Sequence, residues 1–146
     1  MIALIQRVTQ AQVRIEERSI AAIGAGVLAL IGVRRTDTEL QAERLAARLL
    51  AYRVFADDTG RMNLSVPQVA GAFLLVPQFT LAADTASGTR AGFSTAAQPE
   101  LARRLFAHLA DSLQRAYAPV SSGVFGADMQ VSLINDGPVT FWLEAR

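Results

Sequence analysis

Cysteine is absent from the 146 residues, which removes disulfides, thiolate catalysis and Cys-based zinc or iron–sulfur sites. The absence fits a reducing compartment. Histidine occurs once, at His108. One imidazole cannot make a His-rich metal site, and no Ser-His-Asp set is visible. His108 sits among helix-forming residues and reads as structural or solvated. Carboxylates are scattered over turns and helix faces, so nothing points to a paired acid and base. Asp57-Asp58-Thr59-Gly60 has turn composition and lacks the calcium-loop pattern. No metal and no cofactor is expected. Gly24, Gly26 and Gly32 have the wrong spacing for a phosphate loop. The formal net charge is only +1. A nucleic-acid partner usually leaves a basic footprint, so such a contact would need a local arginine patch. No apolar run is long enough to span a bilayer. Met1 to Arg7 lacks a basic stretch followed by a long apolar one, so no signal peptide is expected.

What is present is apolar: 51% of the chain, enough for one domain over 1–146 to bury a core without staples. Ile2–Val8 and Gln12–Glu16 read as two strands, the second wet on one face. Ile20–Ile23 follows a hairpin break at Glu17-Arg18. Val27–Val33 and Ala72–Val76 are continuous apolar runs, hence buried strands. Val54-Phe55 is a short strand, and 61–65 reads as a polar loop. Thr38-Glu39-Leu40-Gln41 has the capping-box pattern, and Ala42, Leu45, Leu49 and Tyr52 recur at helical spacing behind it. Pro99 suits a first helical position. Ala102, Phe106, Leu109, Leu113 and Tyr117 form the stripe of a second helix, with Pro119 past its end. Residues 82–93 read as an ordered loop. Val120–Phe125, Met129–Ile134 and Val139–Leu143 complete the strands. The expected class is α+β: a mostly antiparallel, barrel-like β core carrying two main helices.

Two stretches resist this plain reading. Asn135-Asp136-Gly137-Pro138-Val139-Thr140 sets a Gly-Pro step between strand runs. Pro138 offers no N–H and fixes its own φ, while Gly137 tolerates unusual backbone shapes. A tight turn is the plain account. X-Pro is also the step where a cis peptide is cheap, at about 0.5–1 kcal/mol. The second stretch, Pro77-Gln78-Phe79-Thr80-Leu81, ends a buried strand, where strand tips build pockets. Thr80 has no evident base to activate it. The plain account is a threonine bonded to main chain. An enzyme with this inventory would run an easy reaction on main-chain oxyanion donors and positioning.

Taken together, Gln6-Arg7-Val8, Gly60-Arg61-Met62-Asn63-Leu64-Ser65, Gln78-Phe79-Thr80-Leu81, Gly123 through Met129 and Asn135 through Thr140 resemble the D-aminoacyl-tRNA deacylases. The resemblance runs in order from the first residues nearly to the last. It implies the fold of that family and a cytoplasmic homodimer. The implied partner is the aminoacylated 3′ end of tRNA, with no membrane involved. The implied reaction is hydrolysis of the ester joining a D-amino acid, or glycine mischarged on tRNA-Ala, to the terminal adenosine. This is chiral proofreading in translation. The Gly137-Pro138 step would be cis, would enter the active site of the opposite subunit, and would gate chirality there. Arg7 matches the arginine that holds the partner's loop. Gln78, Phe79 and Thr80 match the catalytic floor, and Pro77, Phe125, Met129 and Asn135 the rest of the pocket. Thr80 matches a proposed nucleophile; the rival view uses the RNA 2′-hydroxyl and main-chain groups. The poverty of side-chain chemistry favours the second view.

The chain departs from the pattern in two places. Pro77 stands where the family usually has serine, removing one N–H and one hydroxyl. Residues 87–93 depart from the usual Gly-x-Arg-Pro-Ser-Phe. Related animal tRNA deacylases carry Pro-Gln followed by alanine and lack the arginine at position 7. Phe79 and Arg7 therefore favour the D-specific reading. The alternatives are a deacylase for a mischarged L-amino acid and a non-catalytic nucleic-acid-binding relative.

Overall fold

Polarity that interrupts an apolar run can mean an end or a bend, and this chain contains both. The computed structural model describes all residues, 1–146. Its strands are β1 (Ile2–Ile15), β2 (Arg18–Ile23), β3 (Gly26–Gly32), β4 (Arg53–Ala56), β5 (Met62–Ser65), β6 (Ala72–Pro77), β7 (Val120–Ser122) and β8 (Gln130–Glu144). The helices are α1 (Glu39–Ala51) and α2 (Pro99–Ala116), with short 3₁₀ turns at Pro67–Val69 and Phe79–Ala82.

Where two strands were expected, β1 runs unbroken. Its polar Thr9-Gln10 marks the point where it leaves β3 and takes up β2. The register against β8 also shifts there, so the polarity reports a bend. Likewise the last two expected strands belong to one strand, β8, with only residues 136–139 bulging out of its register between them. Residues 61–65 are not wholly loop: β5 pairs with β4 in an outlying ribbon whose exposure explains its polar sequence. Val120–Phe125 is strand only to Ser122. There Gly123 N donates to Leu75 O at 2.8 Å, and the chain then swings away.

β1 pairs antiparallel with β2, β3 and β8, whereas β3–β6 and β6–β7 are parallel. The β3–β6 pair is buried on both faces, as crossover connections require. Val27, Ala29, Ile31, Phe73 and Leu75 pack on the helices, with Leu45, Leu49, Leu105 and Leu109 opposite. The alternate residues Leu28, Leu74 and Val76 face a second core with Val8, Ala11, Val13 and Ile23. Met129, just before β8, and Val131 and Leu133 on it fold over that core and give the sheet its barrel curl.

Helix starts follow the sequence signals. Gln41 Oε1 accepts from Thr38 N at 2.9 Å, and Pro99 occupies the first turn of α2. The helices are tied by Arg104–Glu39 at 3.3 Å and by His108 Nε2 to Glu43 Oε1 at 3.1 Å, so His108 serves packing. Asp57 Oδ1 accepts from Thr59 N and Arg61 N, at 2.8 and 3.1 Å, which makes that segment a closed turn. Those bonds, the Thr59 hydroxyl first among them, hold the Asp57 pKa below its usual value.

Candidate active site

β6 delivers the site. Pro77 occupies its last rung, opposite Ile31 of β3. The next ladder bond, Gln78 N to Ile31 O at 2.7 Å, comes from the residue after the proline. Successive N–H groups of a strand point to opposite sides, so an N–H at position 77 would aim past the end of short β7. Proline therefore costs the sheet little here. The chain then turns through the 3₁₀ segment Phe79–Ala82.

Pro77, Gln78 and Phe79 line a cavity of about 520 Å³, together with Phe125, Met129 and residues from the start of α2. Gly123 makes the wall possible: a Cβ there would lie 2.8 Å from Met129 Sδ and 3.7 Å from Pro77 Cδ. Phe79 is 58% exposed and leans on Phe93, ring centres 5.1 Å apart. Asp128 is the one charged lining side chain, so the cavity holds no acid–base pair. Thr80 lies across the turn, lining a separate groove with Arg34, Arg35 and Trp142. Its hydroxyl accepts from Gln78 Nε2 at 2.5 Å. Asn135, which the resemblance places in the pocket, stands at the base of a loop elsewhere and does not line the cavity of its own chain.

That loop is residues 136–139. β8 pairs Asn135 with Val8 and Thr140 with Gln6, so four residues bulge out opposite Arg7 alone. Asn135 clasps the bulge: Val139 N donates to its Oδ1 at 2.6 Å, and its Nδ2 donates to Thr140 Oγ1 at 3.0 Å. Arg7 Nε donates to Asp136 O at 2.9 Å, and Arg7 Nη1 to Val54 O at 2.6 Å. Arg7 thus grips the loop of its own chain, where the resemblance implied the loop of a partner. The Gly137-Pro138 peptide is cis, and Gly137 has φ +139°. An added Cβ at Gly137 would meet Val139 Cγ2 at 2.8 Å and Arg7 Nη2 at 3.1 Å.

The loop does not line the cavity of its own chain. Register explains why. Arg7 pairs with Val27, Val27 with Phe73, and Pro77 lies four residues farther along β6. Three strand spacings and four residues amount to roughly 15–20 Å through the sheet. The Val54 carbonyl beside Arg7, Phe93 beside Phe79 and the α2 residues of the cavity wall have no local signal in the sequence; only tertiary packing brings them in.

At the far end of β8, Glu144 binds Arg34 at 2.9 Å and Trp142 Nε1 at 3.0 Å. The Arg34 bond, then the Trp142 bond, holds its pKa down at about 2. No helix is long and apolar enough to cross a membrane.

Comparison with known proteins agrees over the whole length. A D-aminoacyl-tRNA deacylase of Thioalkalivibrio sulfidiphilus is 60% identical over 144 residues, 99% of this chain and 97% of that protein. A solved structure described as c-Myc DNA Unwinding Element Binding Protein superposes with TM-score 0.95 at 37% identity, covering 100% of this chain and 99% of the other. A second, described as a probable eukaryotic D-amino acid tRNA deacylase, has TM-score 0.82 at 15% identity and 98% coverage of both chains, and so shares the fold. The family model for D-Tyr-tRNA(Tyr) deacylase matches residues 4–144, and the chain belongs to that family.

Proposed function

We propose that this chain, as a single deacylase domain, hydrolyses the ester of D-aminoacyl-tRNA. Water adds to the acyl carbon, the acyl–oxygen bond breaks, and the ribose oxygen leaves with a proton. Glycyl-tRNA-Ala is a second substrate, because the discrimination is by exclusion of an L side chain. The working unit is a cytoplasmic homodimer in which each Gly137-Pro138 loop enters the cavity of the other copy.

One observation carries the reading. A loop tied firmly to its own chain stands well away from an apolar cavity that lacks acid–base chemistry. A two-fold axis would supply each cavity with the missing loop. The half-exposed Trp142, on the same outer strand as the loop, is apolar surface that such an interface would cover. Catalysis would rest on the main-chain N–H groups of Phe79 and Thr80, the Gln78 N–H being committed to Ile31 O, on the RNA 2′-hydroxyl and on positioning. Thr80 is disfavoured as nucleophile, since its hydroxyl has an amide neighbour and no base.

Incubation with D-tyrosyl-, glycyl- and L-alanyl-tRNA tests the reading. Hydrolysis of the first two and sparing of the third is expected. Cleavage of L-alanyl-tRNA alone would favour the L-specific deacylase consistent with Pro77. Binding without hydrolysis would favour a nucleic-acid-binding role, of the kind named for the 37%-identical relative. Sedimentation at micromolar concentration should give a dimer; a fully active monomer would sink the shared site.

A further inference from the structure

Arg103 stands on the exposed side of α2, next to Ala102, which lines the cavity. Its guanidinium carbon lies 5.0 Å from the centre of the Phe125 ring, another lining residue. A Cβ at Gly126 would come within 3.6 Å of Arg103 Nη2, so the guanidinium rests at the cavity rim. Its neighbour Arg104 is paired with Glu39, but Arg103 has no carboxylate within ion-pair distance. Asp128, the only charge lining the cavity, makes no ion pair with it.

Stacking on an aromatic face holds a guanidinium by its plane and leaves its N–H edges open. Those edges form a fork that fits two oxygens of a phosphate. A cation held at the mouth of a wall whose one charged lining residue, Asp128, makes no ion pair with it is suited to an anion entering with the ligand. An aminoacyl ester on a terminal ribose carries one such anion close by, the phosphate on the 5′ carbon of the same ribose.

We propose that Arg103 is the phosphate subsite for the terminal nucleotide: it binds the phosphodiester 5′ to the adenosine whose ester sits in the cavity. The proposal rests on the deacylase reading above. Arg103 is a positioning residue, since it touches the substrate away from the reacting atoms, and Phe125 is its platform.

The test is equilibrium binding of a non-hydrolysable amide, 3′-(D-tyrosylamino)-3′-deoxyadenosine, with and without a 5′-phosphate. The wild type should bind the phosphorylated form about tenfold more tightly. Arg103→Ala should lose that preference while binding the unphosphorylated form as the wild type does, and Arg103→Lys should keep part of it. For intact D-tyrosyl-tRNA, Arg103→Ala should raise KM, leave kcat, and flatten the slope of log KM against log salt by about 0.7. A wild type indifferent to the phosphate would overturn the subsite, as would an alanine variant that keeps the preference. Equal weakening of both analogues would also overturn it, showing that Arg103 only supports Phe125. Hydrolysis of D-tyrosyl-tRNA by the wild type is scored separately, so failure of the deacylase reading shows up in a different measurement.

Discussion

In the 136–139 loop, Asn135 clasps the backbone of Val139 and the hydroxyl of Thr140, while Arg7 holds the carbonyl of Asp136 from the other side. The 78–80 turn is held more lightly. Its main-chain ties are Gln78 N to Ile31 O, Leu81 N to Gln78 O and Ala83 N to Thr80 O, but no side chain from another element holds it: its side-chain bond stays within the turn, from Gln78 to Thr80, and Phe79 is more than half exposed. The two regions therefore suit different tasks. A gate that rejects one hand of an amino acid must not yield, because the two hands differ only in where the side chain points. A floor that accepts many side chains gains from room to adjust. Loop stiffness should therefore govern selectivity, and the turn should tolerate change.

Gly137→Ala should have the largest effect. At φ +139° a Cβ is strained, and Val139, only 8% exposed, cannot easily retreat from it. The loop must move or open. We expect kcat/KM on D-tyrosyl-tRNA to fall about 100-fold, near 2.7 kcal/mol of transition-state binding. Circular dichroism should show an intact fold. Unchanged kinetics would remove the loop from the mechanism.

Arg7→Met comes next. The side chain keeps much of its bulk but leaves the carbonyls of Asp136 and Val54 without their donor. Stability should drop by about 1–3 kcal/mol in urea titration. The ratio of D- to L-tyrosyl-tRNA hydrolysis should fall about tenfold, as roughly 1.4 kcal/mol of discrimination is lost. A large stability loss with an unchanged ratio would mean that the clamp serves folding alone.

The loop and the turn also differ in how plainly the amino-acid sequence announces them. Gly137 and Pro138 stand out because one frees the backbone and the other restricts it, and Pro77-Gln78 marks a strand tip. Buried strands such as β3 and β6 declare themselves as unbroken apolar runs. What stays hidden depends on register. Thr9-Gln10 looks like a strand end unless one knows that β1 changes partners there. Asn135 matches a pocket residue by motif, yet its side chain spans its own bulge. The clamp of Arg7 on its own loop, with Val54 as second acceptor, joins three segments distant in sequence. No local pattern encodes that.

Thr80→Ala should have a smaller effect, and it tests the tolerant side of the comparison. The substitution removes an acceptor from Gln78 Nε2 at an exposed position, where water can replace it. No base stands ready to take a proton from Thr80. We expect kcat to stay within about tenfold of the wild type, the range of a lost positioning contact rather than a lost nucleophile. A fall of several orders of magnitude in a folded variant would restore Thr80 as nucleophile and make the turn the rigid partner.

The smallest effect should come from Glu144→Gln, which separates stability from selectivity along the strand that bears the loop. Glu144 ends β8, and its carboxylate holds Arg34 and Trp142. Its pKa in the fold, about 2, lies below its ordinary value of 4.5. A depressed carboxylate favours the fold wherever it is ionised, so its contribution is complete above about pH 4.5. It drains away as pH falls toward 2, where the folded state also takes up the proton. The Arg34 and Glu144 side chains keep 33% and 23% of their surface in water, so solvent screens the pair. The net effect at neutral pH should be on the order of 1 kcal/mol. Urea titrations of wild type and variant should differ by that amount at pH 7, converge between pH 4.5 and 2, and coincide below. The D-to-L ratio should not move at any pH where both proteins are folded. If it did, the tether at the end of β8 would reach the gate through the strand, and the stiffness of the loop would no longer be its own.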